Sequence, residues 1–383
     1  MSEPLLPRYG ARSLPEVVPS LLAALGVGGP NPLDVEPARS VCLLLLDGLG
    51  AELLGEHAAE APVLASLAAG SEPLTAGFPA TTAASIASLG TGRPPGEHGI
   101  TGYTFAAPGG VLLNALTWCS HGDGADAVDL RERAVPEQVQ PYDTALQRAA
   151  GAGLDVRVLA PRVQRGSGLS RAALRGGDFR AVHALGDLAV GVLSALDGRG
   201  FCYAYHGDLD LVGHLYGPGS PAWRLQLAHV DHLVASIVQR LPAGALLAVV
   251  ADHGMVALDD PIDADAEPAL REGVRGLAGD VRARHVYADP GAAADVLAAW
   301  SELLGDRAWV VSRDEAVAAG WFGPVDRRVA ERIGDAVVAA RGGFGVLRRV
   351  AEPRESKMVG HHGSLTSAEQ LVPFLLARRE GSA

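Results

Sequence analysis

The sequence predicts an α/β protein with a mostly parallel central sheet that helices flank on both faces. Short, continuous apolar runs recur along the chain, as in strands that are buried on both faces of a parallel sheet. The stretches between these runs carry apolar residues at intervals of three and four, which is typical of helices that cover a sheet. This alternation of strands and helices favours a parallel arrangement.

The clearest strand-like runs follow one another in a regular order. The first, SVCLLLL at 40–46, stops at Asp47, and three similar runs come later in the chain. These runs are VRVLAP at 156–161, FCYAY at 201–205 and ALLAVVA at 245–251. The segment 223–241, WRLQLAHVDHLVASIVQRL, predicts a single amphipathic helix.

The pattern changes after residue 256. Residues 259–272 are acidic and contain proline, and shorter units follow, including HVYADP, a predicted helix at 292–304 and WVVSRDEAV. We interpret 257–345 as a small α+β cap inserted into a hydrolase core that comprises 1–256 and 346–383. The final segment, 352–383, is expected to return to the core.

Composition and charge exclude several classes of protein. The 383 residues are 48% hydrophobic and 20% charged, which predicts a compact globular protein. The formal net charge of −12 argues against binding a nucleic-acid polymer, because such binding needs a cationic surface. Three cysteines without a CxxC pair indicate neither a disulfide framework nor a cysteine-rich zinc site. Since no signal peptide or membrane span is evident, we expect a cytoplasmic protein; its oligomeric state stays open.

Acidic residues follow three of the predicted strands. Asp47 comes after the first run, Asp210 lies shortly after FCYAYHG, and Asp252 follows ALLAVVA. Ligands bind beyond the carboxyl ends of parallel strands, so these three carboxylates are expected to converge. Their mutual repulsion predicts that cations hold them together.

Histidines near these carboxylates complete a set of candidate metal ligands. Asp210 and His214 are four residues apart, so they share a helical face or bracket a tight turn, and His253 follows Asp252 directly. The late motif VGHHGS adds His361 and His362. Mixed Asp and His ligands suit zinc better than calcium, and six ligands are enough for two ions.

The segment FPATTAASIASLGTG at 78–92 supplies a candidate nucleophile. Thr81 or Thr82 falls at the predicted start of a helix, where free amide N–H groups and the helix dipole favour an anion. The alternative is a plain N-cap threonine. A hydroxyl that also contacts a divalent ion would form an alkoxide nucleophile near neutral pH.

Five motifs in order resemble the alkaline phosphatase superfamily, and within it the nucleotide pyrophosphatase/phosphodiesterase-like branch. They are DG after the first strand, FPATT…TGRPPGEHGI, DLDLVGHLYGP, ADHGM and GHHG, over roughly 40–256 and 350–375. The resemblance implies Thr82 as the nucleophile. It also implies two divalent ions, zinc or alternatively manganese, with two sets of ligands. One set is Asp210, His214 and His362, with His361 as the rival of His362; the other is Asp47, Asp252, His253 and the Thr82 hydroxyl.

The resemblance further implies a two-step hydrolysis of phosphodiester or nucleotide pyrophosphate bonds through a phospho-threonine. Three carboxylates and two divalent ions leave a net single positive charge, which suits the single negative charge of a diester. The substrate is therefore expected to be a small phosphorylated molecule.

Two departures from the family pattern bear on the substrate. Nucleotide-cleaving relatives carry Phe after the nucleophile, where this chain has Ala83, and this weakens a nucleotide assignment. They place a phosphate-binding Asn where this chain has Tyr103. Either Tyr103 or Asn114 could contact the phosphoryl group, and both residues could equally be structural.

Two alternatives stay open. A phosphomonoesterase or a phosphonoacetate hydrolase would share the scaffold and is favoured by Ala83, although no arginine that would bind a dianion is evident near Thr82. A protein that binds metal without catalysis is the alternative of another class. The absence of a CxPxR motif disfavours a sulfatase.

Overall fold

The computed structural model describes residues 3–122 and 126–379. Residues 1, 2, 123–125 and 380–383 of the predicted core lie outside these described residues. Nineteen strands lie in the described part of the chain: β1 (Ser40–Leu46), β2 (Leu74–Thr75), β3 (Thr104–Ala106), β4 (Leu112–Asn114), β5 (Cys119–Ser120), β6 (Asp155–Pro161), β7 (Asp178–Val182), β8 (Gly200–His206), β9 (Ala245–Val250), β10 (Val256–Ala257), β11 (Asp260–Asp263), β12 (Val274–Asp280), β13 (Ala283–Ala288), β14 (Ala308–Ser312), β15 (Ala336–Ala340), β16 (Phe344–Leu347), β17 (Gly360–His361), β18 (Leu371–Val372) and β19 (Phe374–Arg378).

Helices lie in about half of the connections between these strands. Fifteen α-helices lie in the same described ranges: α1 (Val17–Ala24), α2 (Ala51–Glu56), α3 (Pro62–Ala68), α4 (Thr82–Thr91), α5 (Pro95–His98), α6 (Pro136–Val139), α7 (Ala145–Gly151), α8 (Gly168–Ala173), α9 (Leu185–Leu196), α10 (Asp208–Tyr216), α11 (Pro221–Val238), α12 (Ala293–Leu304), α13 (Arg313–Ala318), α14 (Arg327–Ala330) and α15 (Ser367–Gln370). Among the described helices, none combines the length and apolar character needed to cross a membrane.

A six-stranded sheet forms the centre of the protein, in the order β19-β9-β1-β8-β6-β7. Strand β1 pairs in parallel with β8 and β9, β6 pairs in parallel with β7 and β8, and β19 is an antiparallel edge strand. Every residue of β1 and of β9 is buried, as their continuous apolar sequences predict. The predicted α/β class with a mostly parallel central sheet flanked by helices is thus confirmed.

The long helix α11 agrees with the predicted amphipathic helix at 223–241 but begins two residues earlier. Its first turn starts at Ser220, whose hydroxyl accepts a hydrogen bond from the N–H of Trp223. Asp231, near the middle of this helix, is buried and accepts the backbone N–H groups of Val63 and Leu64. Asp231 therefore satisfies free amides in the first turn of α3 and has a structural role.

A second sheet lies outside the central one. It is antiparallel, with the order β12-β13-β15-β14, and it packs with α12 around an apolar cluster of its own that includes Val286, Trp300 and Val338. The predicted helix at 292–304 is this α12. These elements fall within 257–345, but the exact limits of the cap stay a prediction.

Buried ion pairs join the second sheet to the chain that follows it. Arg284 on β13 donates to both carboxylate oxygens of Glu352, at 2.9 and 2.7 Å. Arg282 donates to both oxygens of Glu369, at 3.1 and 2.6 Å. Because all four side chains are almost fully buried, each charge depends on its partner for compensation.

Candidate active site

Three carboxylates meet at the carboxyl ends of the central strands. Asp47 follows β1 directly, and its N–H donates to the carbonyl of His206 at the end of β8. Asp210 lies in the first turn of α10, and Asp252 follows β9 by two residues. Gly48 has a φ of +76°, and a Cβ there would lie 3.0 Å from the Cα of Asp210. Glycine at this turn therefore lets Asp210 approach Asp47.

One group of candidate ligands combines α10 with the GHHG segment. His214 lies one helical turn after Asp210, with 3.3 Å between its Nε2 and the nearer carboxylate oxygen. The Nε2 of His362 lies 3.8 Å from the other oxygen of Asp210. One donor atom from each of the three residues lies within 4.8 Å of the others, which suits a single metal ion.

A second group lies beside the first. Donor atoms of Asp47, Asp210 and His253 also lie within 4.8 Å of one another. Asp252, which the resemblance assigned to this group, has one oxygen 3.4 Å from the Nε2 of His253. The structure thus brings Asp210 close to both groups. The rings of His253 and His362 stack with 3.5 Å between their centroids, so the two ligand groups are in direct contact.

The tautomers of three histidines follow from their backbone contacts. The Nδ1 atoms of His214, His253 and His362 lie 2.7–3.0 Å from backbone carbonyl oxygens. A carbonyl oxygen only accepts, so each Nδ1 carries a proton and each Nε2 keeps a lone pair for a metal. His361 instead directs its Nε2 to the carbonyl of Met358 and belongs to neither group.

The electrostatics of the site fit bound cations. Burial raises the pKa of Asp47 well above its usual range, and the negative charges of Asp252 and Asp210 raise it further. One buried oxygen of Asp210 and one of Asp252 lack a hydrogen-bond partner within the described residues. Buried carboxylates in this state are costly unless metal ions compensate them. The donor set of carboxylate oxygens and free Nε2 atoms therefore fits divalent ions such as zinc.

Thr82 begins α4 and faces the second ligand group. Its hydroxyl oxygen lies 3.1 Å from the Nε2 of His253 and 3.5 Å from Asp47. Thr81 occupies the N-cap position, but its side chain makes no capping hydrogen bond. Of the two threonines, Thr82 is thus the one that contacts the candidate metal ligands.

The loop before α4 is tied to the GHHG segment by two hydrogen bonds. The N–H of Ala80 donates to the carbonyl of Gly363, and the carbonyl of Ala80 accepts from the Nδ1 of His362. The candidate nucleophile and a candidate ligand are therefore positioned by the same backbone unit.

Two cavities meet at Thr82. One, of about 260 Å³, is lined by apolar residues that include Ile86, Leu169 and Leu174 and by polar residues that include Gln164 and Ser167. The other, of about 320 Å³, lies over the first ligand group and is lined mainly by polar and charged residues. Thr82, Leu116 and Asp210 line both cavities. A substrate with two substituents on one phosphoryl group would match this arrangement.

The family model for type I phosphodiesterases and nucleotide pyrophosphatases matches residues 41–365 of the chain. The chain belongs to this family. It is accordingly a phosphodiesterase- or pyrophosphatase-like hydrolase, and the superfamily resemblance seen in its motifs is confirmed. Among curated proteins, no sequence is similar enough to this chain to be a match.

Solved structures share the fold of this phosphodiesterase-family chain. Murine ectonucleotide pyrophosphatase/phosphodiesterase 5 is 16% identical, with a TM-score of 0.66, and the match covers 88% of each chain. Its inactive threonine-to-alanine variant in complex with AMP is also 16% identical, covers 89% of this chain and 88% of its own, and has the same TM-score of 0.66. Phosphonoacetate hydrolase from Sinorhizobium meliloti 1021, in complex with phosphonoacetate, is 19% identical; the match covers 90% of this chain and 92% of that one, with a TM-score of 0.65.

The two residues expected to contact phosphate in this family member are neighbours, but only Tyr103 lines one of the two cavities. Tyr103 lines the larger cavity, and its hydroxyl donates to Glu355 at 3.0 Å. Burial, followed by the charge of Glu355, raises the pKa of the Tyr103 phenol. Asn114 directs its side-chain oxygen to the N–H groups of Leu116 and Thr117 and does not line either cavity described above. The role of both residues as phosphate ligands stays a prediction.

Sequence reasoning missed four polar residues of this phosphodiesterase site. Tyr205, near the end of β8, donates its hydroxyl to Asp47 and also lines the smaller cavity. Its place at the end of the strand-like run FCYAY was a usable signal. Asp280, Arg354 and Glu355 line the larger cavity. Arg354 is an arginine that lines the same cavity as Thr82, which the sequence alone did not reveal.

Proposed function

We propose that this chain hydrolyses phosphodiester or nucleotide pyrophosphate bonds of a small soluble substrate through a phosphoryl group transferred to Thr82. The observation that carries the proposal is the position of the Thr82 hydroxyl. It lies at the start of a buried helix, 3.1 Å from His253, where two cavities meet. A phosphoryl group bound there would have one substituent in each cavity.

The candidate ligands support two divalent ions, with zinc as the best fit and manganese as the alternative. Asp210, His214 and His362 would hold one ion, and Asp47, Asp252 and His253 would hold the other, next to Thr82. Such ions lower the pKa of a bound hydroxyl and stabilise charge on the attacking and leaving oxygens. Tyr205 would orient Asp47 through its hydrogen bond.

The chain's own groups account for the remaining steps. The Thr82 oxygen attacks phosphorus and loses its proton, while the bond from phosphorus to the leaving oxygen breaks and the leaving group takes up a proton. Water then attacks phosphorus and restores the Thr82 hydroxyl, which gives net retention. The uncapped amide N–H groups in the first turn of α4 would orient the phosphoryl oxygens.

Two of the similar structures contain AMP or phosphonoacetate as a ligand, and both ligands carry a phosphorus oxyanion. The inactive threonine-to-alanine variant of the murine enzyme in complex with AMP is an example of a fold relative that depends on a threonine. For this chain, the location in the cytoplasm and the exclusion of nucleic-acid polymers and membranes as partners stay predictions.

The proposal is tested by comparing Thr82→Ala with its neighbour Thr81→Ala. Hydrolysis of bis-p-nitrophenyl phosphate should fall at least about a thousand-fold in T82A, because the nucleophile is lost. T81A should stay within about ten-fold of wild type, since Thr81 makes no capping bond. Metal content, measured by elemental analysis, should be similar in all three proteins. Activity in T82A equal to that of T81A would contradict the proposal.

A covalent intermediate gives a second measurement. Acid-quenched wild type should carry a substrate-derived phosphoryl group on the peptide that contains Thr82, and T82A should carry none. Protein with bound metal that hydrolyses no phosphate or phosphonate ester would instead indicate a protein that binds metal without catalysis.

Arg354 favours a second candidate function, hydrolysis of a phosphomonoester or of phosphonoacetate. It lines the cavity that also contains Thr82, and a guanidinium binds carboxylates and dianions well. Rates on p-nitrophenyl phosphate, phosphonoacetate and bis-p-nitrophenyl phosphate separate the candidates. A preference for the diester supports the main proposal, and a preference for either of the others supports the second candidate.

A further inference from the structure

Acidic residues form part of the wall of the larger cavity. Asp280, Glu352 and Glu355 line it, and Arg354 is the arginine among the lining residues. Glu352 is already compensated, because it pairs with the buried Arg284 and with His121. Asp280 and Glu355 have no such ion pair within the described residues.

Among these acidic residues, Asp280 gives the strongest indication that a ligand binds in the cavity. It ends β12, and its carboxylate accepts the backbone N–H of Tyr103. Its Oδ2 is nevertheless buried and has no hydrogen-bond partner among the residues described. A buried carboxylate oxygen that borders a cavity and lacks a partner indicates that a donor on a ligand completes its hydrogen bonding.

The position of Asp280 is well fixed. Thr104 donates its hydroxyl to the carbonyl of Gly279 at 2.9 Å and accepts the N–H of Gly279 at 2.7 Å. This pair of bonds joins the end of β12 to β3. On the other side of Tyr103, the phenol hydroxyl holds Glu355. Tyr103 thus positions one carboxylate through its backbone and the other through its side chain.

We propose that this acidic wall, formed by Asp280 and Glu355, binds a protonated amine on the leaving group of the substrate. The inference rests on the proposed function and adds the chemical class of one substituent. The cavity lies over Asp210, His214 and His362. Because the other ligand group is the one next to Thr82, an ion held by these three residues would be the one that stabilises the leaving oxygen. An ammonium group there would donate to Asp280 and would be attracted by the charge of Glu355.

The placement of Arg354 decides between a cationic and an anionic substituent. Arg354 is exposed, whereas the unpartnered oxygen of Asp280 is buried. An anion beside Asp280 would be repelled by its carboxylate, and Arg284, whose charge acts on Asp280, is already paired with Glu352. The geometry therefore favours an amine at Asp280, with Arg354 nearer to the solvent.

Three methylphosphonate monoesters test this inference. The 3-aminopropyl, butyl and 3-carboxypropyl esters each have one hydrolysable bond, one negative charge on phosphorus and a similar chain length. Hydrolysis releases the alcohol and methylphosphonate, which 31P NMR resolves. We expect kcat/KM for the aminopropyl ester to exceed that for the butyl ester at least about ten-fold, as for a charged hydrogen bond. The carboxypropyl ester should be the poorest substrate.

Variants assign the preference to the two carboxylates. Asp280→Asn should reduce the ratio of aminopropyl to butyl activity to near one, and Glu355→Gln should reduce it less. This ratio is measured within each protein, so a general loss of activity does not affect it. Asp314→Asn, at an exposed position on α13, removes the same charge outside the cavity and should keep the wild-type ratio.

Binding provides a readout without turnover. Calorimetry on T82A should show tighter binding of the aminopropyl ester than of the butyl ester, and D280N in the same background should abolish the difference. If wild type hydrolyses bis-p-nitrophenyl phosphate but shows no amine preference in turnover or in binding, the amine inference alone fails. If the metal-loaded protein hydrolyses none of these esters, the proposed function fails as well.

Discussion

The two sheets of this protein differ in whether their buried charges have partners. At the carboxyl edge of the central sheet, Asp47, Asp210 and Asp252 are gathered together, and buried oxygens are left without partners. In the second sheet, Arg282 and Arg284 are just as buried but each forms a two-bond pair with a glutamate. The unpaired carboxylates of the central sheet are available to bind ions and substrate. The paired charges of the second sheet instead hold distant segments of the chain together. Substitutions in the two regions should therefore separate activity from stability.

The largest expected effect is on activity, from a change in the central sheet. Asp47→Asn should lower kcat/KM by about a thousand-fold, because it removes a candidate metal ligand that also contacts Thr82. The metal-free variant should be at least as stable as metal-free wild type, since repulsion from Asp252 and Asp210 is removed. Esterase assays and urea unfolding in chelator measure the two effects. A large loss of stability in D47N would break the contrast between the sheets.

The opposite pattern is expected in the second sheet. Arg284→Met leaves Glu352 buried without its main partner and should lower the free energy of unfolding by about 3–5 kcal/mol. The double variant R284M/E352Q should recover part of this loss, which urea unfolding of the three proteins would show. Equal stability of R284M and wild type would mean that the pair does not hold the second sheet in place.

Asp280 connects the two regions and should give the metal-free protein a characteristic pH dependence. Burial raises the pKa of its carboxyl to about 7, although Arg284 lowers it in part. The folded state then binds more protons than the unfolded state between about pH 4 and pH 7. Stability from this group is therefore present at low pH and is lost as the pH rises through 7, by an amount on the order of a few kcal/mol.

The measurement is unfolding in urea from pH 5 to 8, with chelator present, for wild type and D280N. The variant should show a flatter profile over this range. Identical profiles would indicate that the Asp280 carboxyl titrates close to its ordinary value in the folded protein.

The smallest effect is expected at the adjacent histidines of the GHHG segment. His361→Ala should change kcat/KM by no more than about ten-fold, because His361 directs its Nε2 to a backbone carbonyl and belongs to neither ligand group. His362→Ala should be much more damaging and should also lower metal content. A reversed order of the two variants would move the ligand by one residue.

Several residues of this site can be predicted from the sequence, because their positions depend on patterns within a single strand or helix. Burial on both faces makes β1 and β9 continuous apolar runs, so the strand ends, and with them Asp47 and Asp252, are visible directly. The spacing of Asp210 and His214 predicts a shared helical face, and the structure places both on α10. Membership of the phosphodiesterase family follows from motifs at these same strand ends.

Other parts depend on contacts between distant segments. Glu352 is 68 residues from Arg284, and no periodic pattern links them. The choice between His361 and His362 depends on which way each of two adjacent side chains points. The nearness of Asp210 to both ligand groups likewise needs the close approach at Gly48, which only the folded backbone shows.

The hydrogen bond between His362 and Ala80 spans 282 residues of sequence and has a consequence for the order of events in folding. Closing so long a segment costs chain entropy before the contact returns any stabilisation, so such contacts tend to form late. We therefore expect the last candidate ligand to reach the Thr82 loop after the central sheet has formed. Metal uptake should follow folding and not nucleate it, and a partly folded molecule would be neither loaded nor able to cleave its substrate.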